Sequence, residues 1–337
     1  MRGSGSESRS GTRAAKPADR DTRRVLVVLK TTSYKTYVED RKDSLTTALL
    51  ARNDRAVGRI LGSHTAHEET AREVRRSLEE LGVRVHTATT ALLPGLRDEA
   101  FDLVVTVGGD GTLLMTSHEV GVGTPILGIN SAPEHSVGFF CGTRKGAVKS
   151  GLGAALSGKM PGTVLSRMQV ELNGVCLSRR VLNDALFCHE VPAATSRYIL
   201  TVQEGKAKTG RPLEEEQKSS GLWVGPAAGS TSAQRSAGGH VLPLTSKRLQ
   251  YVVREPFTPM GRPLTLSRGT VDEHGRIVLL SKMRQAKLFL DGPHVVHEVG
   301  LGDVITLARS PETLTVLGLV RTKGSATRSP ASRRKPV

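Results

Sequence analysis

The stretch "LVVTVGGDGTLLMTSHEVG", residues 103–121, decides the fold. Its apolar run, Leu103 to Val107, suits a strand buried on both faces, and the run from Thr112 onward suits a helix. Between them stand Gly108, Gly109, Asp110 and Gly111. A strand that ends in glycines and passes straight into a helix is the turn expected at the carboxyl edge of a parallel, doubly wound sheet. Helix N-termini there point free N–H groups into a crevice, and glycines let the backbone come close to phosphate oxygens. A carboxylate among such amides repels a phosphate unless a cation or a proton transfer employs it. Asp110 is therefore a candidate to orient Mg²⁺, to accept a proton from an attacking hydroxyl, or to do both. The loop is neither a G-x-G-x-x-G dinucleotide fingerprint nor a P-loop with Lys-Ser/Thr. Because Gly and Asp are also ordinary turn and cap residues, its reading depends on the rest of the chain.

Outward from this loop, "RRVLVVLK" (23–30), "VRVHTA" (83–88) and "TPILGIN" (124–130) supply further strands. "HTAHEETAREVRRSLEELGV" supplies a helix, with Thr65 and Glu68 at capping-box spacing, Ala71, Val74 and Leu78 on one face, and Gly82 as a stop. Strands alternating with helices predict an α/β domain with a parallel sheet over residues 25–162. The texture then changes to short, alternating segments punctuated by Gly and Pro, among them "YILTVQEG", "RPLTLSRG", "GRIVLLSK", "AKLFLDG" and "DVITLARS". These predict an antiparallel all-β domain over residues 163–320.

The formal net charge is +16 over 337 residues. Residues 1–24 contribute +4 and residues 321–337 contribute +6, so the basic character belongs mostly to the two ends. Both ends lack aromatics, are rich in Ser, Gly, Arg and Pro, and read as disordered basic tails. Cys141, Cys176 and Cys188 are odd in number and far apart, which disfavours a disulfide framework or a cysteine-rich zinc site and fits a reducing compartment. With no apolar run long enough to span a bilayer and no secretory signal pattern, a soluble, cytoplasmic protein without membrane contact is expected. Aromatic content of 3% offers few stacking platforms for nucleic acid, leaving only nonspecific contacts of the tails.

G-G-D-G-T at the end of a strand resembles NAD kinases, and also diacylglycerol, sphingosine and, more distantly, phosphofructokinases. Two later blocks separate these. "NDALFCHEVPAATSRY" (183–198) and "GLWVGPAAGSTSAQRSAGG" (221–239) resemble NAD kinase segments, the second with G-S-T and S-A-G-G in register. "KTTSY" (30–34), "NSAPEHSVGFFCG" (130–142), "QKSSG" (217–221), "REPF" (254–257) and "DG" (291–292) are similar to the mitochondrial-type branch of that family, in order, over about residues 24–320. The resemblance implies transfer of the ATP γ-phosphate to the 2′-hydroxyl of the adenosine ribose of NAD, with Mg²⁺ or another divalent cation, in a homo-oligomer, expected as a dimer. It implies Asp110 as the catalytic aspartate; Gly109, Gly111 and Thr112 as the phosphate loop; Asn183 and Asp184 as an NAD-contacting pair; and Gly229, Ser230 and Thr231 as a second nucleotide-side block. Ser220 stands where the widespread bacterial pattern has Asp, and Ala233 where that pattern has Tyr; Ser220 agrees with the mitochondrial-type branch, so the NAD contacts of that Asp do not carry over, and Ser220 is kept as an NAD-side candidate by its position in the block.

Other residues carry two readings each. Lys30, at a strand end, is a candidate to reach an ATP phosphate or a snorkelling lysine. His64 and His67 sit one turn apart, and without a third ligand they read as solvated. Glu134 and His135 are candidates to line the site or, more simply, part of a surface loop, while Arg197 and Arg235 are phosphate clamps or structural partners. Trp223 reads as core or interface. The alternatives to an NAD kinase are a lipid kinase of the same superfamily and a non-catalytic nucleotide- or nucleic-acid-binding protein.

Overall fold

A computed structural model describes residues 23–90, 92–93, 100–205, 211–258 and 264–319. The two expected tails, apart from Arg23 and Arg24, fall outside the described residues. In chain order the first half runs β1 (Arg24–Leu29), a π-helical turn (Lys35–Asp40), α1 (Ser44–Ala51), α2 (Ile60–Glu80), β2 (Arg84–Thr89), β3 (Leu103–Gly108), α3 (Asp110–Ser117), β4 (Ile126–Asn130), β5 (Cys141–Arg144) and α4 (Val148–Leu156). β1 lies parallel between β2 and β3, β3 pairs β4, and β4 pairs β5. β3 and β4 are buried along their whole length. Alternate residues of β1 enter different cores: Val25 and Val27 meet Val74 and Leu78 of α2 and Val148 and Leu152 of α4. Leu26 and Val28 join Leu113 of α3 together with Leu165, Leu182 and Leu314 of the second half. A sheet covered on both faces needs this continuous apolar composition.

Helix α2 begins earlier than the capping-box spacing predicts. Thr65 lies inside it and donates its hydroxyl to the Leu61 carbonyl at 3.1 Å, while Arg59 at the N-cap makes no side-chain cap. Residues 60–64 contain only Gly62 as a weak breaker, at a cost of about 1 kcal/mol, so the helix propagates backward past Thr65. The stop at Gly82 is as expected, with φ +66.

The second half runs β6 (Gly162–Leu172), β7 (Val175–Val181), β8 (Ala185–His189), β9 (Ser196–Gln203), β10 (Leu213–Ser219), β11 (Gly221–Pro226), a 3₁₀ turn (Ala227–Thr231), α5 (Ala233–Ser236), β12 (Leu249–Arg254), β13 (Arg268–Val271), β14 (Arg276–Ser281), β15 (Ala286–Leu290), β16 (Val295–Val299) and β17 (Val304–Leu317). Of the segment "RPLTLSRG", residues 262 and 263 lie outside the described ones and the strand starts only at Arg268. A six-stranded antiparallel sheet, in the order β13-β12-β11-β8-β15-β16, packs Phe187, Leu222 and Leu288 against Tyr198, Leu279 and Leu307 of the larger sheet. β17 pairs with strands on both sides of the border expected at residue 162. It pairs antiparallel with β6 and β14, shifts register between Arg309 and Thr313, and then sets Val316 beside Ile126 of β4. Among the described residues the two halves thereby share one eleven-stranded sheet.

Candidate active site

The glycine loop opens on a cleft of about 800 Å³ between the two halves. One wall carries Lys30, Thr31, Gly109, Asp110, Gly111, Thr112 and Ser136, and the facing wall carries Asn183, Asp184, Ser232, Ala233, Asp291 and His294. On the first wall β3 delivers the chain to Gly109, the N-cap of α3, and Asp110 and Gly111 open the helix. The first amides of a helix have no intrahelical acceptor, so this end offers donors and a partial positive charge to an anion. The three glycines differ in cause. A Cβ on Gly108 would collide with the Thr112 side chain, and one on Gly109 would come within 2.8 Å of Ser136 Oγ. A Cβ on Gly111 would meet nothing of the protein within 4 Å. Packing therefore demands Gly108, a side chain at Gly109 would have to displace only the Ser136 hydroxyl, and Gly111 leaves free space for a ligand.

Asp110 is oriented by the chain that follows β4. Phe139 N donates to Oδ2 at 2.9 Å and Phe140 N to Oδ1 at 2.8 Å. Each carboxylate oxygen keeps acceptor capacity toward the cleft. The loop presenting those amides is shaped by Asn130, which donates Nδ2 to Ser136 O at 2.9 Å and accepts from Ala132 N at 3.2 Å, as Asn commonly does in turns. It is held to α2 by Thr70, whose hydroxyl donates to Ser131 O, and by His67, whose Nδ1 lies 3.2 Å from Ser131 Oγ. His67 is 2% exposed and burial pulls its pKa down. It is a buried loop anchor, which corrects the reading of His67 as solvated. His64 bonds Thr32 at 2.8 Å and stacks on Tyr34. Lys30 enters the first wall because its N–H pairs with Val107 O at the sheet's edge. Behind Asp110, Cys141 is pushed up to about 12 by burial and by the Asp110 charge, so it remains a thiol.

The second wall is built from segments far apart in sequence. Asp291, at φ +51, accepts the amides of Leu182, Asn183 and Asp184 at 2.8, 2.6 and 3.0 Å. His118 Nε2 lies 2.9 Å from Asp291 Oδ2, off the line a hydrogen bond needs. Asp184 takes Asn183 Nδ2 at 3.1 Å and Ser232 Oγ at 3.3 Å. Burial, and then the Asp291 charge, push Asp184 up to about 7, against a lowering by the Ser232 hydroxyl. Gly229 lies directly behind this wall: a Cβ there would overlap the Asn183 carbonyl oxygen. Ser230 is fully buried and ties Ala227 O to Leu242 N. Gly229, Ser230 and Thr231 thus back the cleft, and Ser232 and Ala233 reach it. Ser220 lies outside the cleft lining, with its hydroxyl donated to Glu255.

Arg197, Arg235, Glu134 and His135 are exposed and absent from the cleft wall. Trp223 is half-buried on the small sheet, with the Arg254 guanidinium 5.9 Å from its ring centre. Ser232 and Asp291 were missed as site residues by sequence reasoning. The signals for them were the serine following G-S-T and the "DG" closing a strand. Among the described residues no group of three or more His, Cys, Asp or Glu is placed to hold a metal.

Residues 16–153 match the family of the ATP-NAD kinase N-terminal domain. The chain is 35% identical over 231 residues to the "Probable NADH kinase" of Oryza sativa subsp. japonica, covering 64% of this chain and 70% of that protein. It belongs to the NAD kinase family. Similar coverage holds for the NADH kinase of Arabidopsis thaliana, at 34% identity over 64% of this chain and 72% of that protein. As an NAD kinase family member it shares its fold with the crystal structure of an NAD kinase from Archaeoglobus fulgidus in complex with ATP, at TM-score 0.59 and 20% identity, covering 87% of this chain and 92% of that one. It also shares it with yeast NADH kinase complexed with NADH, at TM-score 0.61 and 16% identity, covering 88% and 84%.

Proposed function

We propose that this NAD kinase family member transfers the γ-phosphoryl group of ATP to the 2′-hydroxyl of the adenosine ribose of NAD, forming NADP. The observation that carries the reading is one cleft in which the glycine loop faces the Asn183–Asp184–Ser232 wall. In this reading the first amides of α3, Thr112 and Lys30 hold the donor phosphates. Asn183, Asp184 and Ser232 hold the acceptor, and Asp110 accepts the proton of the attacking hydroxyl. The two amides on Asp110 fix its direction before substrate arrives, and positioning supplies most of the rate in phosphoryl transfer. Mg²⁺ would accompany the ATP phosphates and neutralise charge on them; of the protein, Asp110 is the ligand at hand, with phosphate oxygens and water completing the shell. A cytoplasmic homodimer completes the reading, its mass checked by light scattering; the three unpaired thiols among the described residues suit a reducing compartment.

The deciding experiment follows NADP or NADPH formation from ATP and either NAD or NADH, with and without Mg²⁺. The wild type should turn over and Asp110→Asn should lose at least about 10³-fold in kcat with an unchanged circular dichroism spectrum. Near-normal turnover by the variant would remove Asp110 from the chemistry.

A further inference from the structure

The helix that starts at Asp110 is only eight residues long, and its last carbonyls have no partner within the helix. Arginines from the second half take the last of them, Ser117 O, and two carbonyls of the turn that follows, His118 O and Val120 O. Arg167 of β6 donates Nη1 to Ser117 O at 3.0 Å and to Val120 O at 2.9 Å. Arg180 of β7 donates Nη1 to His118 O at 3.2 Å. The other edge of Arg167 grips β17 where its register shifts: Nε donates to Glu312 O at 3.3 Å and Nη2 to Thr313 O at 3.0 Å. The Glu312 carboxylate accepts from Arg180 Nε at 2.7 Å and lies 3.6 Å from Arg167 Nη2. Arg167 is fully buried. Burial lowers its pKa only to about 10, so it is charged near neutrality.

Burying a guanidinium is costly unless its N–H fork is spent on good acceptors, and an apolar side chain would fill the same volume at less cost. What the fork gives here is a fixed spacing. Two residues beyond Arg180 begins the segment Leu182–Asp184 whose amides converge on Asp291, and His118 abuts the same carboxylate at 2.9 Å. The far end of the helix bearing Asp110 is therefore tied to the strand that leads into Asn183 and Asp184.

We propose that Arg167, Arg180 and Glu312 form a clamp of positioning residues that sets the distance between Asp110 and the acceptor wall. None of the three lines the cleft. It rests on the reading of Asp110 as the group that acts on the acceptor hydroxyl, and it acts because a displacement of about 1 Å at a reacting pair costs on the order of 10²-fold in rate.

The test uses the full-length protein with Arg180→Gln, Glu312→Gln and Arg167→Lys, measuring kcat, both KM values and melting temperature. The clamp predicts a kcat lower by about 10- to 100-fold, KM for ATP and NAD within about threefold, and melting temperatures near the wild type for the two partly exposed positions. Arg180→Lys, which keeps a charged donor, should recover about a tenth to a half of the wild-type kcat. If Arg167→Lys does not fold, Arg180→Gln and Glu312→Gln decide. A kcat within about twofold of wild type in folded variants, or a loss carried by KM alone, overturns the clamp while leaving the kinase reading intact. Absence of NADP formation by the wild type overturns that reading and the clamp with it.

Discussion

The two walls of the cleft are made on opposite plans. The donor-side wall is mostly contiguous: residues 108–112 form its centre, joined by Lys30 and Thr31 from the end of the neighbouring strand and by Ser136 of the loop 130–140 that returns to the same sheet. Its working groups are backbone amides, one carboxylate, the Thr112 hydroxyl and the Lys30 ammonium. The acceptor-side wall joins residues 182–184, 229–233 and 291; the Asp184 carboxylate, the Asn183 amide and the Ser232 hydroxyl bond one another, while Asp291 accepts the backbone amides of residues 182–184. A wall of amides needs little beyond a strand, glycines and a helix start. A wall of buried carboxylates needs partners brought from several strands, because an unpaired buried charge is expensive. The first wall is thus a property of a short sequence, and the second a property of the assembled sandwich.

Substitutions of the glycines should separate the walls most widely. Gly229→Ala places a methyl on the Asn183 carbonyl oxygen, so the acceptor wall must move; kcat/KM for NAD should fall by about 10²-fold or more, and the melting temperature should fall with it. Gly111→Ala, on the other wall, meets no protein atom. Its melting temperature should hold or rise slightly, since Ala is the better helix former by about 1 kcal/mol, while KM for ATP rises by about tenfold, as a methyl entering the phosphate site removes donor binding. Equal effects of the two substitutions in thermal melts and kinetics would erase the distinction between the walls.

A smaller effect concerns pH. Asp184 is raised from 3.8 to about 7 by burial and by Asp291, so the folded state prefers its neutral form. Below about 4 both folded and unfolded chains hold that proton, and the stabilisation is fully present. As pH rises from about 4 to about 7 the unfolded chain ionises first, and the contribution is lost progressively; a tenfold difference in proton affinity between the two states is worth about 1.4 kcal/mol. Asp184→Asn should flatten that part of the stability curve, measured as melting temperature at a series of pH values. An unchanged slope would place the buried proton elsewhere.

Much of the first half was legible because its signals are local. Strands buried on both faces must be apolar throughout, and β1, β3 and β4 read that way. Where local signals misled, another local arrangement satisfied the same groups: Thr65 bonds the carbonyl four residues back, which a hydroxyl inside a helix does as readily as it caps one. His67 looked solvated beside His64, yet only packing against the 130–140 loop decides which of two histidines one turn apart is buried. The strand "DVITLARS" looked short because Pro311 follows it. β17 continues through Pro311 because the register shift between Arg309 and Thr313 removes the need for a ladder N–H at that point.

By itself the sequence determined that residues 103–121 form a strand, a glycine turn and a helix start with a carboxylate at its mouth, because each step depends on neighbours within a few positions. It also determined, through alternation of polar and apolar residues, that the second half is β. Only the tertiary structure decided what faces Asp110. The partners of Asp184 lie 48 residues away at Ser232 and 107 away at Asp291, and nothing in a local pattern encodes such a distance. Their meeting follows from closing two sheets over a shared core, which brings the ends of β7, β11 and β15 to one point and leaves a buried carboxylate that only those partners can satisfy.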